Sequence, residues 1–405
     1  MRISGPLRDK NFLIYSLGNT VSWVGTWAQR IGVGWLSWDL THRTAWVGAI
    51  SLAQLLPLIA FGPLFGTLLD RHDHRRYALG VNVVLALLAV ALYALTALHA
   101  MQIGLLCAMA VLLGIANSAY QAVRLAMIND VVASEQLSEA IAINSVLFNL
   151  TRAVGPAIAG VIIAQLGIAA AFAFNAVSFL GILAALLVVQ VRPQAARHAP
   201  QGLLAESRAG IRYVFQHRGM RQLMLLSAIT SILGRGVIEL LPAFADSVFR
   251  RGSVGLADLT TSAGIGAIAG ALLLSRLQGA RSLPSITRKA TLALGGVIAA
   301  FALCTSFRVG LALAGLCGFT IVLSSVGLQV LLQAGIRADF RGRVLGLWSA
   351  VNMAGPGVGA ALTGTLAQLA GLKAVSATAG LLCIVLIILA MPPSRPLHAE
   401  HARYD

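Results

Sequence analysis

The chain has 405 residues, of which 58% are hydrophobic and only 11% charged, and its mean hydropathy is +0.83. A soluble protein of this length needs a more charged surface to stay dispersed, so the composition excludes ordinary globular domains and places the chain in the membrane class. The formal net charge of +16 arises from bases clustered between apolar runs, without the aromatic interleaving or finger spacing of a nucleic-acid binder, and it suits anionic lipid headgroups instead.

The first residues show no short apolar core followed by a small-residue cleavage site, so no removable signal peptide is expected. Apolar runs near or above the roughly 20 residues that cross the hydrocarbon then recur along the chain. They predict twelve helices, at 12–39, 45–69, 77–97, 101–126, 144–165, 168–190, 222–246, 257–275, 288–306, 309–334, 345–368 and 374–391. None shows the alternation of a β-barrel strand, and a lone helix satisfies its own backbone in lipid. The expected fold is therefore an all-α polytopic membrane protein.

The first run carries Trp23, Trp27, Trp35 and Trp38, is interrupted by Gln29 and Arg30, and closes on Asp39. The second holds Gly62 and Gly66 and ends in GTLLDRHDHRR, eleven residues of which seven are charged or imidazole. The fourth has a polar patch of Asn117, Ser118, Tyr120 and Gln121, with Arg124 beyond it; the fifth carries Arg152, Gly155-Pro156 and Gly160. Residues 191–221 hold two prolines and six arginines and read either as a soluble linker or, over LLAESRAGIRYVFQHRGMR, as a surface-lying helix with Leu203, Ile211, Tyr213, Val214 and Phe215 on its apolar side. In the seventh run Arg235 and Glu239 stand i,i+4 before Pro242; on a continuous helix they share a face. The eleventh carries Asn352, Gly355-Pro356 and Gly359.

An even number of spans puts both ends of the sequence on one side. Assigning the first ten residues, 70–76, 191–221, 276–289, 337–343 and the tail to that side collects 21 of the 30 basic residues, which makes it cytoplasmic. The expected organisation is a six-helix bundle over 1–190, the linker, a second bundle over 222–391 and a disordered tail over 392–405. The Gly-Pro pairs at 155–156 and 355–356 each fall in the fifth run of their half, an echo expected of two related bundles. Cys107, Cys304, Cys317 and Cys383 lie in apolar runs without metal or redox spacing and read as packed thiols.

Several stretches, in order, resemble the major facilitator superfamily, in its branch of siderophore and macrolide exporters known as transmembrane secretion effectors. They are LRDKNFLIYSLGNTVSWVGTWAQRIGVGWLSWDLT, PLIAFGPLFGTLLDRHDHRR, QLSEAIAINSVLFNLTRAVGPAIAG, GRGVIELLPAFAD and FRGRVLGLW. The resemblance implies two six-helix bundles and a gating network in the loop after the second helix. There Asp70 would meet the positive end of the eleventh helix near Arg343 and hold the cytoplasmic side shut. Gly62 and Gly66 would allow close helix approach, while Arg71, Arg75 and Arg76 would pair across the bundle or serve topology alone. Arg124 lies too late in its helix for the family's usual arginine and is expected in the same cytoplasmic network. The second half keeps Gly270 in AGALLLSRLQGAR without an acidic counterpart of Asp70. In the helix-packing set Gly155, Pro156, Gly160, Gly355, Pro356 and Gly359, the first three resemble the fifth-helix antiporter signature only in part, with Thr151 where glycine is common.

Glu239 is the expected proton-exchanging group, with Arg235 beside it and Asp39 nearer the outer surface; the alternative is a permanent Arg235–Glu239 pair holding a kink. Arg30, Gln29, Trp27, Tyr120, Gln121, Arg152 and Asn352 are candidates for a substrate cavity favouring an anionic or polar-aromatic compound, against packing or snorkelling roles. His72 and His74 read as solvated loop residues rather than metal ligands, and no phosphate-binding loop occurs. The expected function is a monomeric, proton-coupled exporter of a small amphipathic compound in the bacterial cytoplasmic membrane. The proton gradient would be its energy source, without a cofactor, and membrane lipids and the substrate its partners. A proton-coupled importer is the alternative within transport; a membrane receptor or scaffold, or a membrane enzyme, stands outside it.

Overall fold

The computed structural model describes residues 5–69, 72–191, 203–277, 282–337 and 340–390. Asp70, Arg71 and the tail 392–405 expected to be disordered lie outside the described residues. After a single turn at Gly5–Arg8, the first half comprises α1 (Lys10–Thr41), α2 (Thr44–Leu69), α3 (His74–Ala97), α4 (Ile103–Val131), α5 (Leu137–Leu166) and α6 (Ile168–Val188). A shorter helix, α7 (Leu203–Gln216), precedes α8 (Arg218–Val248), α9 (Gly252–Leu277), α10 (Leu283–Leu303), α11 (Phe307–Gly335), α12 (Arg341–Ala370) and α13 (Leu372–Ala390).

Ten of the described helices are long and apolar enough to cross a membrane. The two other long ones, α1 and α12 with 32 and 30 residues, are diluted by Asn, Ser, Gln and Arg. Helices α3, α4, α5 and α12 run several residues past the predicted ends on the side of the basic loops. Hydropathy marks where lipid contact stops, whereas backbone hydrogen bonding carries a helix further into water. Asp73 caps α3, its Oδ1 accepting from the Arg76 backbone N–H at 2.7 Å. Gly167 and Gly371, at φ +85° and +87°, make one-residue turns after α5 and α12, a positive φ that glycine adopts without Cβ strain.

Helix α8 departs from the expected continuous helix. It contains π turns at Thr230–Arg235 and Phe244–Val248 and opens at Glu239–Leu240, just before Pro242, which has no N–H to continue the ladder. Arg235 and Glu239 therefore flank the short α-turn Gly236–Ile238, beside a break.

Backbone proximity groups the chain into two compact units: Met1–Thr41, Ala53–Ala199 and Gly252–Thr261 in one, His42–Leu52, Pro200–Arg251 and Ser262–Asp405 in the other. In the first, α1 packs chiefly on α6 and α5, and α3 on α6 and α4. Leu87, Val177 and Leu180 stay more than 60% exposed, as lipid-facing side chains do. In the second, α10 lies between α13 and α11, and α12 packs on the first π turn of α8. The helix α7 docks there too: Tyr213 and Val214 are buried in a cluster with Met220, Leu223, Leu332 and Val344, and the Tyr213 ring stacks on Phe340 at 4.4 Å. Ile211 and Phe215, expected on the same apolar side, remain exposed.

Candidate functional site

Polar groups inside the first unit fall into three sets. At mid-length on α1 and α5, Gly155 faces Trp27 so closely that a Cβ at Gly155 would lie 2.6 Å from the Trp27 Cβ. That approach brings Arg30 and Arg152, each about one turn away, into one neighbourhood. The Arg30 guanidinium carbon lies 5.3 Å from the Trp27 ring centre, a cation–π contact. Arg152 is half-buried, and the positive charge of Arg30 acts on it. A cation at membrane depth costs about 2.5–3.5 kcal/mol on insertion scales, so two of them require a compensating environment.

Gln29 turns elsewhere. It is buried, and its Oε1 accepts from Asn175 Nδ2 at 2.8 Å, while Ser178 Oγ donates to Asn175 Oδ1 at 3.1 Å. These bonds join α1 to α6, because a buried amide must be satisfied.

A second set joins α1 to α4 and α5. Trp23 Nε1 donates to the Tyr120 hydroxyl, which donates to Asn19 Oδ1, both at 2.6 Å. Tyr15 donates to the Arg124 carbonyl at 3.2 Å. The Arg124 guanidinium carbon sits 4.6 Å from the Phe148 ring centre and 5.4 Å from that of Trp23, and these two rings meet edge to face. Tyr120 is thus fixed between two side chains of α1, and Arg124 stands in an aromatic box within the bundle. Gln121 is half-buried beside it.

The third set lies at the basic end. Arg75 Nε donates to the Leu186 carbonyl at 2.6 Å and its Nη2 to the Leu187 carbonyl, so this side chain closes the last turn of α6. The expectation that Arg75 pairs across the bundle is corrected here: a guanidinium presents several donors to the unpaired carbonyls of a neighbouring helix end. Arg76 is exposed. His74 Nδ1 lies 2.6 Å from Asp130 Oδ2, and Asp130 is buried at the end of α4, whereas His72 Nδ1 faces the Leu68 carbonyl. Among the described residues nothing lies within 4 Å of a Cβ built on Gly66, and for Gly62 only Ser118 Oγ does, at 3.8 Å. The close approaches of α2 are made instead by Gly114 of α4, whose Cβ would stand 2.8 Å from the Gln54 carbonyl oxygen, and by its own Gly48.

In the second unit Arg343 packs on α7, where a Cβ on Gly210 would lie 3.0 Å from the Arg343 Cβ, and its guanidinium carbon is 5.6 Å from the Phe340 ring centre. Arg235 Nη1 donates to the Asn352 carbonyl at 3.0 Å, and Asn352 Nδ2 donates to the Trp348 carbonyl. Asp39 is exposed at the far end of α1.

At the helix ends away from the basic loops, backbones meet through small residues. A Cβ on Gly48 would lie 2.7 Å from the Ala360 carbonyl carbon, one on Gly357 would lie 3.0 Å from Leu52 Cα, and Thr44 Oγ1 donates to the Gly364 carbonyl at 2.7 Å. A Cβ on Gly160 would lie 2.5 Å from Ala257 Cα, and Thr260 Oγ1 reaches the Pro156 carbonyl at 3.3 Å. Gly355 faces Ser231, and Gly359 faces the Ile232 carbonyl. Both Gly-Pro segments therefore serve where α5 meets α1 and α9, and where α12 meets α8 and α2. At the same end His42 Nδ1 is 3.7 Å from Asp246 Oδ2.

Sequence reasoning missed Asn19, Asn175, Asp130, His42, Gly48 and Asp246. The usable signal was a lone amide or carboxylate inside an apolar run, as in FAFNAVSF and AMINDVV.

Comparisons with known proteins agree with this architecture. A family model described as transmembrane secretion effector matches residues 3–402. The staphyloferrin A transporter of Staphylococcus aureus is 26% identical over 63% of this chain and 64% of its own length, and the enterobactin exporter EntS of Shigella flexneri 28% identical over 65% and 63%. The chain thus spans somewhat under two thirds of these two relatives. The uncharacterized MFS-type transporter YfiS of Bacillus subtilis is 24% identical over 98% of this chain and 95% of its own length. Among solved structures, a bacterial homolog of the human lysosomal transporter Spinster, inward-facing and unoccupied, superposes with a TM-score of 0.70 at 16% identity, covering 96% of each chain. The nucleoside transporter NupG superposes with a TM-score of 0.68 at 12% identity, covering 94% of this chain and 98% of its own. These two likenesses establish the fold.

Proposed function

The chain belongs to the transmembrane secretion effector family of major facilitator transporters, and from that premise we propose that it exports a small amphipathic compound, such as a siderophore or macrolide-like drug, in exchange for protons. It would work as a monomer in a bacterial cytoplasmic membrane, with both ends of the sequence on the cytoplasmic side. The observation that carries the reading is the pair of close glycine contacts, α2 with α12 and α5 with α9, at the ends away from the basic loops. Such contacts hold one end closed with little side-chain rearrangement when it opens, as alternating access demands.

At the opposite end, Asp70 with the basic loop is the proposed partner of the start of α12, closing the cytoplasmic side in the other half of the cycle. Glu239 is the proposed proton carrier. It lies at the break of α8, where a change in its charge acts on a helix already open at that point. Counterflow into proteoliposomes tests the transport reading: saturable exchange of a loaded compound is expected, and binding without translocation would refute it.

A further inference from the structure

We propose that the exposed edge of α7 and the first turns of α8 form a docking surface for anionic phospholipid, with Ile211 and Phe215 seated among the acyl chains and Arg212, Arg218 and Arg221 on the headgroup phosphates. The surface lies apart from the transport reading, and its test uses no transport.

The first argument is position. Helix α8 is a span of 31 residues, about 46 Å at 1.5 Å per residue against a hydrocarbon core of about 30 Å, so its first turns stand in the headgroup layer. Arg218, Arg221 and Leu225 follow at i, i+3 and i+7 on one face of α8, and all three are exposed, Leu225 at 48%. Leu225 lies about 10 Å deeper than Arg218, at the level of the lipid chains, so the two arginines stand above a lipid-facing stripe. Only His217 separates Arg218 from the end of α7, which keeps Phe215 within about 11 Å of Arg218.

The second argument is the pattern of burial on α7. Tyr213 and Val214 are buried, and a Cβ on Gly210 would lie 3.0 Å from the Arg343 Cβ, so this side is held against α8 and the start of α12. At about 100° per residue, the other side carries Ile211, Phe215 and Arg212 within about 100° of arc, with Ile211 and Phe215 42% and 64% exposed. Two large apolar side chains one turn apart beside an arginine are what a helix lying in the membrane interface presents.

The third argument is charge. From Leu203 to Leu225 the sequence has four arginines and one acidic residue, Glu206, six positions before Arg212. Among the described residues no hydrogen bond or ion pair occupies the side chains of Arg212, Arg218 and Arg221. Each guanidinium keeps its N–H donors, whose fork matches phosphate oxygens. A basic residue near an anionic surface strengthens binding about fivefold, whereas a zwitterionic headgroup cancels the charge of its own phosphate.

The test places one fluorophore on the exposed Gln216→Cys, with the four natural cysteines replaced by serine, in full-length protein in phosphatidylcholine liposomes. Phosphatidylglycerol or phosphatidylcholine, each bearing the same nitroxide near the top of one acyl chain, is added at equal mole fraction. Half-quenching is expected at a mole fraction of the phosphatidylglycerol quencher at least fivefold below that of the phosphatidylcholine quencher. Arg212→Gln, Arg218→Gln and Arg221→Gln together should bring the two lipids within about twofold of each other, the corresponding lysine substitutions should keep most of the preference, and Phe215→Ser should weaken quenching by both lipids. Equal quenching by the two lipids in wild type, or an undiminished preference in the folded triple glutamine variant, overturns the proposal. Absence of quenching by either lipid overturns it too, and self-quenching between labelled copies in its place would assign this face to a second copy of the chain.

Discussion

Replacing Gly48 by valine puts a branched side chain where none fits. The Cβ alone would stand 2.7 Å from the Ala360 carbonyl carbon and 2.8 Å from Ala361 Cα, where ordinary carbon contacts begin near 3.5 Å. Both obstacles are backbone, so no rotamer relieves them, and α2 must move from α12 by about 1 Å. Overpacking of this kind costs about 1–3 kcal/mol. If separation of the two helices relieves that strain, the equilibrium shifts towards the open form by about 5- to 150-fold. The reporter is a single thiol, Ser51→Cys, with the four natural cysteines replaced by serine; Ser51 is 5% exposed beside Gly357. Its maleimide labelling in membranes should rise at least fivefold with Gly48→Val, and to a smaller extent with Gly48→Ala. Unchanged labelling in a protein that elutes as a folded monomer would refute the idea that this contact closes the end away from the basic loops.

Further expectations follow from side chains placed differently from their sequence reading. Tyr120→Phe removes the hydroxyl shared by Trp23 and Asn19 and leaves buried polar groups unsatisfied, so stability should fall by about 1–3 kcal/mol in a thermal or denaturant melt; unchanged stability with weakened substrate binding would make Tyr120 a ligand contact instead. Arg75→Gln should lower stability by about 1 kcal/mol, seen as a drop of a few degrees in the thermal transition, without altering thiol accessibility at the opposite end. A double-mutant cycle on His74→Ala and Asp130→Ala should give a coupling energy of at least 0.5 kcal/mol, and additivity would dismiss the pair. Glu239→Gln should abolish proton uptake during efflux while the protein remains folded; normal uptake would remove Glu239 from the proposed coupling.

The spans were legible because lipid imposes a simple rule: a helix that must satisfy its own backbone in hydrocarbon writes a long apolar run. The ends of α4 and α5 were not, since Met127–Val131 and Leu137–Ile143 are helical where hydropathy is low. Nor was the opening of α8, where Pro242 signalled a disturbance but not the π turns, the first of which packs against α12. Within the candidate site, residue type told which side chains were unusual in lipid and not where they point. Gln29 and Arg30 are adjacent in sequence, yet one fastens α1 to α6 and the other lies over Trp27. The His74–Asp130 contact joins residues 56 positions apart, and the glycine contacts depend on which backbone comes opposite, information that a single sequence does not hold.

The central claim, exchange of a solute for protons, is tested most directly by the sign of the pH gradient that drives accumulation. The probe is a solute of fixed charge that shows saturable counterflow, because it does not follow the gradient as a permeant weak acid or base would. Exchange predicts that proteoliposomes with an acidic interior concentrate it above the external level, and that protein-free liposomes and Glu239→Gln do not. Accumulation only when the acidic solution is outside would mean that proton and solute travel together, and would contradict the account.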